Sequence, residues 1–369
     1  MMRLAARSAR RSFVRAHSRS LGSSSSDTVS TLKIPRVFND SLGDTHFDDI
    51  YVLMKDKEGK GAAGIGKLSD AVPASKVMFR HTPGDYLFDW HQAPQEQFIV
   101  NLDADVHITV TDGSTRVLKA GEVFYVEDTS GTGHKSQAVD GKDRHSVFVP
   151  CAKDTLLPKL VPAPTQYGKI DLRVGVIRSV ENHPDADALY VESIDVGESE
   201  GPRQIISGLV PFFPAEALVD RKVVVMCNLP KSKLRGVASN GMILCASAPG
   251  DAEAASDPIV NGVGHNADKN VTVAFVEPPE GAQPGDRVTV DNRLNDTLYG
   301  APLSANQMKK QKKIVPEFLE VCRTAERSYT DPSRPATGVD RFVATVDGIP
   351  LVTPAGPCTV AALGGANIH

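Results

Sequence analysis

Between Asn228 and Met242 the chain reads Asn-Leu-Pro-Lys-Ser-Lys-Leu-Arg-Gly-Val-Ala-Ser-Asn-Gly-Met. Lys231, Lys233 and Arg235 alternate with smaller or apolar residues, so an extended backbone places all three on one face. Three cations on one face neutralise neighbouring phosphates, and each such contact releases condensed counterions. Standing alone, the run would read as a solvated turn. Its flanks add chemistry: Asn228 and Ser239 offer hydrogen bonds to sugars or base edges, and Met242 offers an apolar surface to a base. A second cluster, His183-Pro184-Asp185-Ala186-Asp187, has metal-ligand residue types. Pro and Asp also supply turn geometry, with the acids capping local backbone amides, and that reading is preferred. Gly59 to Gly64 matches G-x-G-x-x-G, and Gly61 to Lys67 matches most of a phosphate-binding loop. Leu68 stands where a magnesium-binding hydroxyl belongs, and Pro73 is too early for a long following helix, so a loop is expected.

The elements that must position these residues are read from composition and patterning. A chain of 369 residues holds two or three domains. Its net charge of -4 supplies no general attraction for nucleic acid, so any such binding must rest on a local patch. The cysteines at 151, 227, 245, 322 and 358 are scattered with no C-x-x-C pair, which argues against a zinc site or disulfide framework and for a reducing compartment. No apolar run is long enough to span a bilayer. Arg3, Arg7, Arg10, Arg11, Arg15 and Arg19 are spread among Ala, Ser and Leu, with no acid before Asp27. A helix over 4–16 with this composition is that of an organellar import segment. Mitochondrial delivery is the expectation, with a plastid or the cytoplasm as alternatives; the bland reading is a basic tail.

The chain divides into an import segment and Ser-rich linker (1–30), a first β domain (31–152), a Pro-rich linker (153–166), a second β domain (167–293) and an extension (294–369). In the first domain, short strands are expected at 77–79, 97–102, 106–110, 115–118 and 123–126, with Asp112-Gly113 as a hairpin turn. The second supplies five strands, over 168–177, 189–196, 204–209, 222–228 and 242–246, with a short helix over 214–219 between the third and fourth. That pattern fits an OB-fold barrel. Residues 248–270 read as a loop, and 341–351 as a hairpin turning at Asp347-Gly348. The fold class is mainly β.

The ordered set Ile170-Asp-Leu-Arg-Val-Gly175, His183 to Tyr190, Ile206-Ser-Gly-Leu-Val210 and Cys227 to Met242 closely resembles the tRNA-binding domain of endothelial monocyte-activating polypeptide and of some tyrosyl- and methionyl-tRNA synthetases. The resemblance covers about Tyr167 to His369, with a longer 248–270 loop and an insertion at 328–337 as departures. It implies recognition of tRNA by shape, on the loop carrying Asn228, Lys231, Lys233, Arg235, Ser239 and Met242. It also implies that the extension packs on the barrel and keeps it monomeric. Lys309, Lys310, Lys312 and Lys313 then form either an extension of the RNA surface or a solvated charge run. No synthetase catalytic signature (HIGH, KMSKS) is present, so an auxiliary that brings tRNA to a synthetase or processing partner is expected, rather than an enzyme that charges it.

The first domain resembles the cupin superfamily, through Asp89 to Val100 and Gly121 to His134. A metal cupin supplies two histidines, a glutamate and a later histidine to one cation. Here His91 and His134 match, Ala93 falls at the second histidine, and Gln97 falls near the glutamate. An alkyl group and a neutral amide are poor ligands, so a cupin-like barrel with a pocket at His91, Gln97 and His134 is expected to hold no metal or cofactor. Two alternatives for the whole chain are an enzyme, with a divalent metal in this barrel acting on a small molecule or tRNA base that the OB domain recruits, and a protein-interaction or signalling module that works through the OB extension.

Overall fold

A computed structural model describes residues 30–57, 66–152, 160–162, 166–250, 258–291, 302–330 and 339–369. The import segment, most of the glycine-rich loop and most of the 328–337 insertion lie outside the described residues.

The N-terminal unit opens with β1 (Ser30–Asn39) and β2 (Thr45–Lys57), a long hairpin in register from Ser30↔Met54 to Asn39↔Thr45. Asp40 forms its turn, with Oδ1 accepting from the amides of Leu42 and Asp44 at 2.9 and 3.0 Å. Patterning undercalled this hairpin because Asp48 and Asp49 interrupt β2 with poor strand formers. Cross-strand cations hold both acids: Arg36 pairs Asp48, and Lys33 and Arg116 pair Asp49. The remaining strands are β3 (Gly66–Leu68), β4 (Met78–Thr82), β5 (Leu87–His91), β6 (Gln97–Asn101), β7 (Val106–Thr109), β8 (Thr115–Leu118), β9 (Val123–Val126), β10 (His134–Ala138), β11 (Arg144–Pro150) and β12 (Leu160–Pro162). One sheet runs β12-β2-β1-β9-β6-β11-β4 with β3 on the edge of β2; the other runs β5-β10-β7-β8. β12 comes from within the expected Pro-rich linker and pairs with β2, so this unit reaches past residue 152.

The two sheets face each other. Val37, Ile99, Phe124 and Val126 of the first form one apolar cluster with Val106, Ile108 and Leu118 of the second. Strict alternation along β6 buries Gln97, Ile99 and Asn101 on this inner face.

The C-terminal unit is an OB-like barrel. Its strands are β13 (Leu172–Asn182), β14 (Tyr190–Asp195), β15 (Arg203–Ser207), β16 (Lys222–Met226), β17 (Ser232–Leu234), β18 (Val237–Ser239), β19 (Met242–Ile243) and β20 (Cys245–Pro249). β13 is central, pairing with β14 on one side and β16 on the other, and β14 then pairs with β15. The expected helix before β16 is a 3-10 turn at Ala215–Ala217. The 248–270 segment holds more than a loop: β20 continues to Pro249, and α1 (Pro258–Asn261) leads into β21 (Val263–Asn266), which pairs with β22 (Val271–Phe275). β23 (Arg287–Val290) returns to β13.

The extension contributes α2 (Ala305–Lys310), α3 (Ile314–Val321), β24 (Cys322–Ser328), β25 (Arg341–Val346), β26 (Ile349–Thr353), β27 (Gly356–Pro357), β28 (Thr359–Ala361) and β29 (Asn367–Ile368). Ser304 and Gln307 cap α2 reciprocally. Asp347 and Gly348 both have positive φ, as a two-residue hairpin turn requires. The extension completes the barrel's sheet: β29 pairs with β20, and β26 pairs with β23. Met308, Ile314, Phe318, Val346 and Leu351 share one apolar core with Val174, Val224, Leu244 and Ala246 of the barrel. All five cysteines are buried, and none forms a disulfide.

One buried acid gives this barrel a pH dependence. Glu192 on β14 is 1% exposed; its Oε1 accepts from Ser207 Oγ at 2.6 Å, and its Oε2 has no hydrogen-bond partner among the described residues. Burial pushes its pKa from 4.5 up to about 8, with the Ser207 hydrogen bond opposing. The folded state therefore holds this proton more tightly than the unfolded chain. The associated stability is fully present below pH 4.5 and is lost as pH rises through about 8. Glu192→Gln is expected to raise Tm at pH 9 by several degrees and to change it little at pH 5. Thermal melts of both proteins at the two pH values check this. An equal shift at both would show that Glu192 is not protonated in the fold.

Candidate nucleic-acid interface

The basic segment is a hairpin. β17 and β18 pair Ser232↔Ser239, Lys233↔Ala238 and Leu234↔Val237. Arg235 and Gly236 form its two-residue turn, with φ of 47° and 89°. Both central residues of a type I′ turn need positive φ, and Gly takes it readily while Arg does not. The extended alternation expected for Lys231, Lys233 and Arg235 therefore ends at Lys233, because Arg235 sits at the tip in a left-handed conformation. All three cations are exposed and have no ion-pair partner among the described residues. The barrel's other arginines differ. Arg173 pairs with Asp171 and Glu198, Arg178 with Asp195, Arg203 with Glu198, and Arg221 with Glu277. Cations already neutralised attract phosphate weakly, so these paired arginines offer a phosphate less than the three hairpin cations do.

The three flanking residues do different work from that expected. Asn228 is buried: its Oδ1 accepts from Asp171 N at 3.0 Å, and its Nδ2 donates to Lys169 O and Leu303 O at 2.8 and 2.9 Å. Its amide ties the end of β16 to the extension and is not free to read a base. Ser239 is 3% exposed, and its Oγ accepts from Ile206 N and donates to Gly241 O. It docks the hairpin base onto β15. Met242 pairs with Met226 and packs against the core shared with the extension. The apolar surface the hairpin does expose belongs to Leu234, 41% accessible between Lys233 and Arg235.

Sequence reading missed the bracing of the hairpin. Asp185 N donates to His183 Nδ1 at 3.1 Å, so the proton of neutral His183 is on Nε2, which donates to Leu234 O at 3.1 Å. The histidine of the His-Pro-Asp-Ala-Asp cluster thus caps its own turn and clamps the tip of the basic hairpin, while Asp185 and Asp187 stay exposed without side-chain hydrogen bonds among the described residues. Arg203, held by Glu198, donates to the carbonyls of Cys227 and Asn240 at the two ends of the segment. Gln204 Nε2 donates to Ala238 O at 2.7 Å. These contacts hold a two-stranded hairpin that would be marginal alone. The sequence carries no signal for them beyond hydrogen-bonding residues on neighbouring strands.

Lys309 and Lys310 end α2, and Lys312 and Lys313 fill the turn into α3. All four are exposed without an ion-pair partner among the described residues, and they form a second cationic surface.

In the N-terminal unit, His91, Gln97 and His134 line one cavity of about 410 Å³ between the two sheets. His91 and His134 are register partners with ring centroids 4.4 Å apart. His134 Nδ1 bonds Asp128 Oδ2 at 2.6 Å, and His91 Nδ1 lies 2.7 Å from Asp89 O. Burial, then the His134 charge, keep the His91 pKa below its ordinary value despite the Asp89 carbonyl. Ala93 is buried beside them and Gln97 is neutral. No group of three His, Cys, Asp or Glu side chains placed to hold a metal ion occurs among the described residues.

Residues 172–287 match the family described as putative tRNA binding domain. The chain is 42% identical over 152 residues to cytoplasmic tyrosine--tRNA ligase of Xenopus tropicalis, covering 41% of this chain and 24% of that protein. It is 35% identical over 165 residues to aminoacyl tRNA synthase complex-interacting multifunctional protein 1 of Cricetulus griseus, covering 45% and 40%. It is 37% identical over 201 residues to a probable methionine--tRNA ligase of Oryza sativa subsp. japonica, covering 54% and 20%. The chain thus spans between a fifth and two fifths of the length of these curated relatives. Its C-terminal half carries a domain of the putative tRNA binding family, related to the domains appended to those synthetases and to the multifunctional protein.

Proposed function

We propose that this protein binds tRNA by shape and serves as an auxiliary to an aminoacyl-tRNA synthetase or a tRNA-processing partner. The observation that carries the proposal is a braced, exposed hairpin, its cations unpaired among the described residues, within the residues that match the tRNA-binding family. Phosphate contacts give position and affinity without reading sequence, and a fixed hairpin responds to the spacing of phosphates on a folded RNA. Lys309, Lys310, Lys312 and Lys313 supply additional phosphate contacts. Holding tRNA beside a partner raises its local concentration without any catalysis by this chain. No helix among the described residues is long and apolar enough to cross a membrane.

The N-terminal unit is read as cupin-like, which its two facing sheets around a cavity support. Import into mitochondria is part of the proposal and rests on the arginine-rich, acid-free first 26 residues. Filter binding of the purified full chain tests the central claim. Folded tRNA is expected to bind at least about tenfold tighter than an unstructured RNA of equal length, since equal charge leaves only shape to separate them. Equal affinities would show a non-specific polyanion binder.

A further inference from the structure

Arg144 is the least expected residue of the N-terminal cavity. It begins β11 on the inner face and is 6% exposed, yet its Nε and Nη1 have no hydrogen-bond partner among the described residues. Arg80, on the neighbouring strand β4, lines the same cavity. Arg80 stacks over Tyr86 and Phe148 at 5.1 and 5.8 Å and is in no ion pair among the described residues. Arg80, exposed at the rim, and the buried Arg144 thus line one cavity, and the carboxylate that acts on Arg144 among the described residues is Asp103, which is exposed and bonded to His145. Burial, then the like charge of Arg80, hold the Arg144 pKa below its ordinary value. An unpaired buried guanidinium is destabilising, and an apolar residue of similar size would be more stable there.

Most of the remaining wall is apolar, with Ile99, Ile108, Phe124 and Phe148 in it, and His91, His134 and Ser136 add polar groups. Its volume of about 410 Å³ suits a small organic molecule. At the other end sits Gln97, 3% exposed, whose Oε1 also lacks a partner among the described residues. Gln97 is the register partner of Pro150, six residues along β11 from Arg144, so the two polar groups mark opposite ends of the site.

We infer that this cavity binds a small carboxylate with an apolar body, its carboxylate held by Arg144 and Arg80 and its body between the two sheets. A guanidinium presents a planar fork that matches a carboxylate in two parallel hydrogen bonds. Gln97 Oε1 accepts from a hydroxyl or amide at the far end of the ligand. A free phosphate shares the anion chemistry, but its several oxygens would meet hydrocarbon walls on most sides.

Titration calorimetry on the full chain tests this, with straight-chain carboxylates from butyrate to decanoate, the matching alcohols, and inorganic phosphate as probes. The expected result is saturable carboxylate binding that tightens with chain length and exceeds each matching alcohol by at least about tenfold, the difference a charge-assisted hydrogen bond makes. Arg144→Met is expected to stay folded, to raise Tm without ligand, and to erase the preference for carboxylate over alcohol. Absence of saturable binding to the unmodified protein, or equal affinity for acid and alcohol, overturns the assignment whatever the variant does. Phosphate binding that depends on Arg144 and matches the longest carboxylate overturns the apolar body and leaves a plain oxyanion site.

Discussion

Replacing Lys231, Lys233 and Arg235 together by alanine is expected to weaken tRNA binding roughly 10- to 100-fold, at about 1 kcal/mol or less per exposed charged contact. The plot of log affinity against log salt is expected to flatten by up to about three, one for each phosphate neutralised. Filter binding across a salt series reads both quantities. An unchanged slope in a folded triple variant would remove this hairpin from the interface and leave Lys309, Lys310, Lys312 and Lys313 as the cationic surface.

Arg235 provides a control that separates charge from shape. Its φ of 47° is strained for a long side chain, whereas Asn followed by Gly is the favoured pair for this turn. Arg235→Asn is therefore expected to preserve or raise stability while still losing affinity. His183→Ala keeps every cation and removes the clamp on Leu234 O. In the same assay it loses affinity with little change in salt slope, because the charges remain but are no longer held in place.

The basic loop and its barrel were legible because the ordered motifs bring a barrel with them, but the hairpin was not, because an extended reading ran straight through the turn at Arg235-Gly236. What the flanking residues do was not legible. Asn228 and Ser239 carry the same chemical groups whether they face RNA or backbone, and burial decides between the two. Their partners, Leu303 and Ile206, lie 75 and 33 residues away. His183 reaches across 51 residues to Leu234, so a local reading assigned it only to its own turn. In the N-terminal unit, short apolar runs between turn signals located five strands, yet the parallel pairing of β1 with β9 brings together segments nearly 90 residues apart, and no local pattern encodes it. Arg144 stayed hidden for a related reason. A charged residue at the head of a strand reads as a solvated edge until both sheets close over it.

Deleting residues 294–369 is expected to abolish the fold of the C-terminal barrel as a soluble monomer. The sequence alone suggests an extension lying over a finished barrel; the pairing of β29 with β20 and of β26 with β23 shows instead that it completes the sheet. Truncation leaves those barrel edges unpaired, which invites association with another chain. It also strips Met308, Ile314, Phe318, Val346, Leu351, Val360, Leu363 and Ile368 from the shared core. At about 1.5–3 kcal/mol for each buried side chain, the loss is as large as the whole of the about 5–15 kcal/mol by which a domain is normally stable. Asn228 Nδ2 loses Leu303 O as well, loosening the base of the RNA hairpin. Phe318→Ala samples the same interface more gently and is expected to cost about 3–5 kcal/mol while leaving the chain folded. Light scattering and thermal melts decide the matter. A truncated chain that stays monodisperse and melts cooperatively would show that the barrel is complete without its extension, and the shared core would then be a docking surface between two independent folds.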